Sequence, residues 1–422
     1  MASPAGHGQR ADELSLELFT ADDQPLARLR YTNEAGDGFR WIPDRFVVRL
    51  CPRPGVVAAD RLELCLPPGW RALPRPEPTA WLVFPAGLPE FPVRLQLVTR
   101  GKDRKRVLLT RDLPVDFCGR NRFDPQRDRL PWANRIDDLG EVEPDPLSFR
   151  KTFRLALGSQ RFFQGLYREV VRLRRLPDGR IQGGLCTGLS RTALARALGW
   201  LGGEVSLREV VLVLHGRQLS DRALLAGLPW FLLPSPRRAY HAFVRDLLTR
   251  GWSDRCFDLN VPRPWRRDVL QALLGQGHTV VPYAFCQRDA ERAQVWVYDP
   301  NLPDRAAETV VTIDLVRDCY EYPPLAVDGC RTTIVAVPLA PYLHGRTAIL
   351  ASVASPFLQA PRRLLGVLVV SLLGLALFAF RHWSRKRESD RRGPVARAQA
   401  EGMLLTDAFQ SAAAGAASAS RR

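Results

Sequence analysis

Hydrophobic and polar positions alternate in short segments along the first 120 residues, and turns rich in Pro, Gly and Asp separate these segments. A period of two residues is the pattern of a half-buried β-strand. The predicted strands span residues 13–19, 27–31, 45–51, 61–66, 80–84, 93–99 and 106–117. About seven strands within about a hundred residues predict an all-β sandwich domain over residues 13–118.

The pattern changes after residue 150. Helical periodicity covers 152–175 and 187–201, with further helical segments at 207–214, 239–250 and 268–274. Segments rich in β-formers follow at 278–285, 294–298, 309–315 and 331–338. Helices followed by an antiparallel sheet predict an α+β domain over residues 151–340. Residues 119–150 contain four prolines and many charges, and they are predicted to link the two domains.

One uncharged apolar run lies near the C-terminus, at residues 364–380. Arg362 and Arg363 precede it and a basic cluster follows from Arg381, which is the pattern of a stop-transfer helix. At 1.5 Å per residue the run spans about 25 Å, at the short end of what a bilayer requires. We predict a single transmembrane helix here, the alternative being a buried core helix.

The flanking segments follow from this prediction. Residues 341–363 are assigned to a juxtamembrane segment, and residues 1–12 and the basic tail 381–422 are predicted to be disordered. The basic cluster places the tail in the cytoplasm and the globular part outside it. No signal peptide is recognisable at the N-terminus, and this favours the opposite orientation. The sequence therefore leaves the side of the membrane open.

Composition narrows the function classes. The 422 residues carry a net charge of +17, yet Lys occurs only at positions 102, 105, 151 and 386, so nearly all the basic residues are Arg. This skew, with abundant Ala, Pro, Leu and Val, resembles the coding bias of a GC-rich bacterial genome. No stripe of Lys and Arg with interleaved aromatic residues accompanies the charge, so we do not predict a nucleic-acid partner.

The eight cysteines are scattered, with no Cys-x-x-Cys pair and no matching His spacing. The sequence therefore predicts no zinc site, and no other metal or organic cofactor is implied. A chain of this length does not depend on disulfides for a core, so most of the cysteines are expected to be buried free thiols.

Cys186 has a context suited to a nucleophile, in the segment Gln-Gly-Gly-Leu-Cys-Thr-Gly-Leu-Ser from Gln182. A helix predicted to begin near Thr187 would lower the thiol pKa through its N-terminal dipole and unpaired N–H groups. Gly183 and Gly184 would let a substrate approach the backbone, and Gln182 would add a side-chain donor to an oxyanion hole. The alternative is a buried cysteine at a helix start, with glycines that serve a turn.

Two later segments supply a base and a group to orient it. His278 opens a β-rich run, and Asp299 ends the next one in Tyr-Asp-Pro-Asn. Neighbouring antiparallel strands would place Asp299 beside His278, and Asn301 is a second candidate because an amide oxygen also accepts an imidazole N–H. The alternatives are a structural histidine and a simple turn.

These segments, in the order Cys186, His278 and Asp299, resemble the papain-like cysteine peptidase superfamily, in particular bacterial papain-like and bacteriocin-leader-peptidase-like proteins. The resemblance covers roughly residues 155–340. It implies that Cys186 is the nucleophile, His278 the general base and acid, Asp299 or Asn301 the orienting group, and Gln182 the oxyanion donor. Gln182 lies four residues before the cysteine, whereas the family's glutamine lies about six before it.

The resulting expectation is a papain-like α+β domain preceded by an immunoglobulin-like sandwich and anchored in a membrane by one helix. It would hydrolyse a peptide or amide bond of a peptide or protein substrate through an acyl-thioester. Two alternatives stay open at this point: a catalytically inactive papain-like scaffold, and a transglutaminase-like acyl transferase that uses the same three residue types.

Overall fold

The computed structural model describes residues 14–34, 38–52, 62–77, 79–100, 105–153, 160–202, 206–259, 277–325 and 330–345. In these residues the fold is mixed α+β, with strands first and helices and strands afterwards. None of the helices described is long and apolar enough to cross a membrane. The predicted membrane span 364–380, the tail 381–422, the N-terminal residues 1–12 and the predicted helix 268–274 lie outside the described residues.

In the described residues, ten strands precede the first helix. They are β1 Leu14–Thr20, β2 Leu29–Thr32, β3 Arg40–Ile42, β4 Phe46–Pro52, β5 Leu62–Cys65, β6 Arg71–Pro74, β7 Ala80–Phe84, β8 Arg94–Arg100, β9 Lys105–Asp112 and β10 Val115–Arg120. A four-stranded sheet has the order β1-β4-β7-β6, and a three-stranded sheet has the order β5-β8-β9. Both sheets contribute alternate apolar side chains to one buried cluster, so this part of the chain folds as packed β-sheets.

The strand prediction differs from the structure at three places. Strands β3 and β6 are missing from the prediction, because three or four residues are too few to display a two-residue period. In β6 the last residue is Pro74, which also weakens the strand signal. The predicted strand 106–117 is two strands, β9 and β10, which separate at Leu113 and Pro114. Pro114 has no backbone N–H to donate to a strand ladder, and the chain changes sheets at that residue.

A larger nine-stranded sheet joins the two halves of the chain. The later strands are β11 Leu173–Arg175, β12 Ile181–Gly183, β13 Arg255–Leu259, β14 His278–Gln287, β15 Arg292–Tyr298, β16 Val310–Asp314, β17 Cys319–Glu321 and β18 Ile334–Pro338. The order β17-β16-β15-β14-β10-β2-β3 runs through both halves, and β13 pairs with β14 and β18. The N-terminal strands and the later α+β part of the chain therefore share a sheet through β10 and β14.

Some of the helices pack against this sheet and others pack on one another. The helices are α1 Pro125–Asp128, α2 Ile136–Leu139, α3 Pro146–Thr152, α4 Gln160–Val170, α5 Cys186–Ala197, α6 Leu207–Gly216, α7 Asp221–Leu232, α8 Pro236–Arg250 and α9 Ala340–His344. Helix α5 is buried along most of its length, with Cys186 through Ala195 all inaccessible or nearly so. A helix that is buried on every side in this way lies inside the core, even though it carries polar residues such as Ser190 and Arg191.

Residues 119–150, for which the sequence predicts a linker, belong to the main hydrophobic core in the structure. Phe123, Leu130 and Ile136 are buried there. The prolines and acidic residues that suggest a linker have local roles: Asp124 caps α1 and Asp145 caps α3, and each is followed by a proline at the first helical position. Turn-forming residues and core residues thus alternate within one packed segment.

Four cysteines are paired, in Cys118–Cys286 and Cys319–Cys330. For these four the expectation of free thiols is wrong. Cys118 and Cys286 are 168 residues apart in sequence and become neighbours only because β10 pairs with β14. No spacing rule reveals such a pair. Cys51, Cys65, Cys186 and Cys256 are free thiols.

Gly188 sets the distance between α5 and α6. A Cβ at this position would lie 2.2 Å from the carbonyl oxygen of Val211 and 2.8 Å from the Cβ of His215. The helix that carries Cys186 therefore packs against α6 in a geometry that only glycine permits.

We expect Gly188→Ala to lower the free energy of unfolding by about 1–3 kcal/mol or more, because the added methyl group meets backbone atoms that cannot move alone. Urea unfolding followed by circular dichroism measures the change. Gly165→Ala in α4 is the matched control: nothing lies within 4 Å of its added Cβ, so this variant should be neutral or slightly stabilised. Equal effects of the two variants would contradict the proposed close approach.

Candidate active site

Cys186 is the first residue of α5, and Leu185 before it is the N-cap. The first N–H groups of a helix have no intrahelical acceptor and point out of its N-terminus. Two of the neighbouring amides are occupied: Leu185 N donates to Asn134 Oδ1 at 2.7 Å, and Gly188 N donates to His215 Nδ1 at 3.3 Å. The helix start is therefore held from both sides of the cysteine.

His215 is a neutral histidine with a packing role. Its Nε2 lies 3.0 Å from the carbonyl oxygen of Val170, and its Nδ1 accepts the Gly188 N–H. Burial lowers the pKa of His215 to about 4. One ring nitrogen thus donates and the other accepts, the tautomer that fits both partners.

Helix α5 is attached to β14 beside the cysteine. The Thr187 and Thr279 hydroxyl oxygens are 2.8 Å apart, and Ser190 Oγ donates to the Thr279 carbonyl oxygen at 2.7 Å. Thr279 directly follows His278 on β14. Short polar contacts therefore fix the cysteine's helix against the strand that carries the histidine.

The pairing of β14 with β15 brings His278 and Asp299 together. Val281 is opposite Tyr298 in an antiparallel register, so Val280 falls opposite Asp299 and His278 lies two residues further on the same face. Such diagonal neighbours are within reach of a long side chain. His278 Nε2 and Asp299 Oδ1 are 2.8 Å apart, and both side chains are buried, Asp299 to 1% exposure.

Cys186 lies beside His278 and interacts with it. Its Sγ lies 3.8 Å from the Gly277 carbonyl oxygen, next to His278. Burial alone would raise the pKa of the Cys186 thiol, but a hydrogen bond and the charge of His278, with a backbone N–H of Thr279, bring that pKa below its ordinary value. Since Nε2 is occupied by Asp299, Nδ1 is the nitrogen left for the thiol.

The histidine shows the reciprocal effect. Burial alone would lower the pKa of His278, but the Asp299 hydrogen bond and the Cys186 thiolate raise it to about 10. For Asp299, burial would raise the carboxyl pKa, but His278, Tyr322 and the Asn301 N–H together hold it below its usual range. All three directions favour a thiolate, an imidazolium and a carboxylate at neutral pH.

The structure therefore brings Cys186, His278 and Asp299 together and places the other two candidates elsewhere. The side chain of Asn301 accepts from Asn134 Nδ2 at 2.9 Å, and only its backbone N–H reaches Asp299, at 2.7 Å. Of the two orienting candidates, it is Asp299 that contacts the imidazole. Gln182 lies on β12 and accepts from Arg174 Nε at 3.0 Å, so its side-chain oxygen is engaged in the β11–β12 hairpin.

The two glycines before the cysteine have packing reasons. Gly183 has a φ of +92°, and a Cβ there would lie 1.7 Å from the carbonyl oxygen of Arg172. A Cβ on Gly184 would lie 3.2 Å from Asn134 Nδ2. The turn requires glycine at position 183, and the nearby Asn134 side chain leaves little room for a side chain at position 184. Both glycines therefore have the structural role that the alternative interpretation of this segment gives them.

Sequence reasoning missed Asn134 and Tyr322. Asn134 connects the residue before Cys186 to Asn301, while Tyr322 Oη donates to Asp299 Oδ2 at 2.5 Å. Both lie far from the three motifs in sequence, and Asn134 falls in the segment predicted to be a linker. Neither residue type carries a signal that distinguishes it from an ordinary turn asparagine or core tyrosine.

A buried ion pair lies behind the site. Arg191 on α5 is fully buried, its Nη2 is 3.1 Å from Asp258 Oδ2 on β13, and its guanidinium stacks on the ring of Tyr342. Asp258 also accepts from the Thr279 hydroxyl at 2.7 Å. The carboxylate thus connects α5, β13 and the residue after His278 in one network.

The described part of the chain contains no cluster of His, Cys, Asp or Glu side chains that could hold a metal ion. What the site contains is a thiol at a helix N-terminus beside an imidazole that is hydrogen-bonded to a carboxylate. This arrangement suits nucleophilic attack by sulfur with proton transfer by the imidazole. Comparisons of the chain with protein-family models, with curated proteins and with solved structures found no match.

We expect Asp258→Ala to lower the free energy of unfolding by about 3–5 kcal/mol, because it leaves the Arg191 guanidinium buried without its counter-charge. Denaturant unfolding measures the loss. Asp112→Ala removes the partner of Arg94 in an ion pair that is exposed on both sides, and it should change stability much less. Similar losses of unfolding free energy in the two variants would contradict the expectation that the buried ion pair contributes more to stability than the exposed one.

Proposed function

We propose that the chain is a cysteine peptidase or amidase that acts through an acyl-thioester intermediate. The observation that carries the proposal is the Cys186 thiol beside His278, whose imidazole is hydrogen-bonded to the buried carboxylate of Asp299. A buried ion pair between thiol and imidazole is costly unless the imidazolium is itself stabilised. Asp299 supplies that stabilisation.

The chemistry would proceed in two stages. The Cys186 thiolate attacks the substrate carbonyl carbon, and the negative oxygen that forms is stabilised by N–H groups at the start of α5. His278, protonated, gives its proton to the leaving amine as the C–N bond breaks. In the second stage His278 takes a proton from water, which attacks the thioester carbonyl and releases the acid and the thiolate.

The orienting role belongs to Asp299 in this mechanism. Its Oδ1 accepts the Nε2 proton of His278, which fixes the tautomer that turns Nδ1 toward sulfur. It also stabilises the positive imidazolium that forms when the thiol loses its proton. Asn301 holds the carboxylate through its backbone N–H, so its side chain has a supporting role through Asn134.

We further propose that the domain is papain-like, follows an immunoglobulin-like sandwich, and is attached to a membrane by residues 364–380. The order of cysteine, histidine and aspartate and the cysteine at a helix start support the resemblance. Two disulfides favour an oxidising compartment for the globular part. By the positive-inside rule, the basic residues after 380 would lie in the cytoplasm, which would also place the globular part on the other, oxidising side of the membrane.

The thiol chemistry is testable without a known substrate. We expect the iodoacetamide reaction of Cys186 in the full-length chain to show a thiolate midpoint below the ordinary thiol value of about 8.5. In His278→Ala the midpoint should move above that value, because burial, the largest effect on the pKa, is then opposed only by the Thr279 N–H. The labelled fraction is measured at the Cys186 peptide by mass spectrometry, and the free thiols Cys51 and Cys65 serve as internal references.

An ordinary midpoint in the wild-type chain, unchanged by His278→Ala, would contradict the proposal and favour an inert scaffold.

Hydrolysis separates the two orienting candidates. In a screen of fluorogenic peptides and amides, Cys186→Ala should abolish turnover, and Asp299→Ala should reduce kcat by about 10²–10⁴-fold through misoriented His278. Asn301→Ala should cost much less, since its backbone N–H remains available to Asp299. A larger loss in Asn301→Ala than in Asp299→Ala would reverse the assignment.

A further inference from the structure

Asp299 is held by three donors. Its Oδ1 accepts from His278 Nε2 at 2.8 Å and from Asn301 N at 2.7 Å. Its Oδ2 accepts from the hydroxyl of Tyr322 at 2.5 Å. Among the described residues, Tyr322 alone has a hydrogen bond to Oδ2, so it is the contact that prevents the carboxylate from turning about its Cβ–Cγ bond.

Tyr322 comes from a separate part of the fold, directly after β17. The preceding strand pairs with β16, and Tyr320 and Arg331 exchange both backbone hydrogen bonds, at 2.6 and 2.8 Å. Leu325 N donates to the Tyr322 carbonyl oxygen at 3.1 Å, which closes a turn just after the tyrosine. The ring itself is buried, with 5% of its surface exposed.

A disulfide closes this same segment. Cys319 lies on β17, three residues before Tyr322, and is bonded to Cys330, next to Arg331. Cys319 is buried. Tyr322, whose hydroxyl donates to Asp299, therefore lies within the loop that the Cys319–Cys330 disulfide closes. A crosslink of this kind restricts the conformations of the chain between the two cysteines.

We propose that Tyr322 is a positioning residue of the Cys186–His278–Asp299 site and that the Cys319–Cys330 disulfide holds it in place, so the reactivity of Cys186 depends on this crosslink. The inference rests on the proposed function only where catalytic turnover is concerned. The state of the thiol and the imidazole can be measured without a substrate.

The physical reason is orientation. A carboxylate that loses its Oδ2 donor rotates more freely, and the Oδ1 contact with His278 is then formed for a smaller fraction of the time. The imidazolium is less stabilised, so the pKa of His278 falls and that of Cys186 rises. Desolvation and the Asp299 carboxylate raise the pKa of Tyr322 far above its ordinary value, so its hydroxyl remains a donor across the accessible pH range.

Tyr322→Phe tests the hydroxyl. We expect the iodoacetamide rate at Cys186, measured below its midpoint in the full-length chain, to fall about tenfold, which corresponds to one pKa unit. Tyr240→Phe is the matched control, because it removes a buried hydroxyl that donates to Gln287 and contacts no member of the site. It should leave the pH profile unchanged. Identical profiles for wild type, Tyr322→Phe and Tyr240→Phe would overturn the proposal.

The imidazole of His278 gives a second readout, followed by NMR titration. Its midpoint should fall from about 10 in Tyr322→Phe and stay in place in Tyr240→Phe. This measurement does not require a reactive thiol. If the wild-type Cys186 proves ordinary, the proposed function fails, while the histidine titration still decides whether Tyr322 positions the Asp299–His278 pair. An unchanged His278 midpoint would sink the positioning role.

The disulfide is tested by Cys319→Ser with Cys330→Ser, alone and combined with Tyr322→Phe. If the crosslink acts through the tyrosine, the combined variant should lose no more reactivity at Cys186 than Tyr322→Phe alone. A full additive loss would mean that the crosslink acts by another route. Near-ultraviolet circular dichroism confirms that each variant is folded at the temperature of measurement.

Discussion

The contact between the start of α5 and β14 is the constraint on which the site depends. Cys186 lies on the helix and His278 on the strand. Polar contacts, in addition to packing, join these two elements. The Thr187 and Ser190 hydroxyls fix the helix to Thr279, which directly follows His278. Gly188 lets α6 approach α5 closely, so the helix is packed against α6 as well as fixed to β14.

Buried charge is the second constraint. A thiolate and an imidazolium out of water are stable only if each has further partners, and here the partners are arranged in series. The carboxylate of Asp299 accepts from His278, Asn301 and Tyr322, which spreads its charge over three donors from three segments. The nearby Arg191–Asp258 pair attaches α5 to β13, and the Asp258 charge weakly opposes the thiolate form of Cys186.

The sequence predicts the three residues of the candidate site but little of what holds them. Cys186, His278 and Asp299 are readable because each lies at a junction where a helix or strand begins or ends, and such junctions leave strong local signals. Tyr322 is brought to the site by the pairing of β15, β16 and β17. Asn134 belongs to a segment that has the composition of a linker, and it contacts the residue before Cys186. Their roles follow from pairings between distant segments, which no local pattern encodes. The same is true of Cys118 and Cys286.

The first half of the chain is part of the support for the site. Strand β10 lies between β2 and β14 in one sheet, and its Cys118 is bonded to Cys286 on the strand that begins with His278. Directly after β10, Asn121 donates to the Ser253 carbonyl oxygen at 2.9 Å, beside β13. Without these residues β14 would lose a neighbour along its outer half and expose unpaired backbone groups. Since the position of His278 is set by that strand, the N-terminal β-sheet region is structurally coupled to the candidate site.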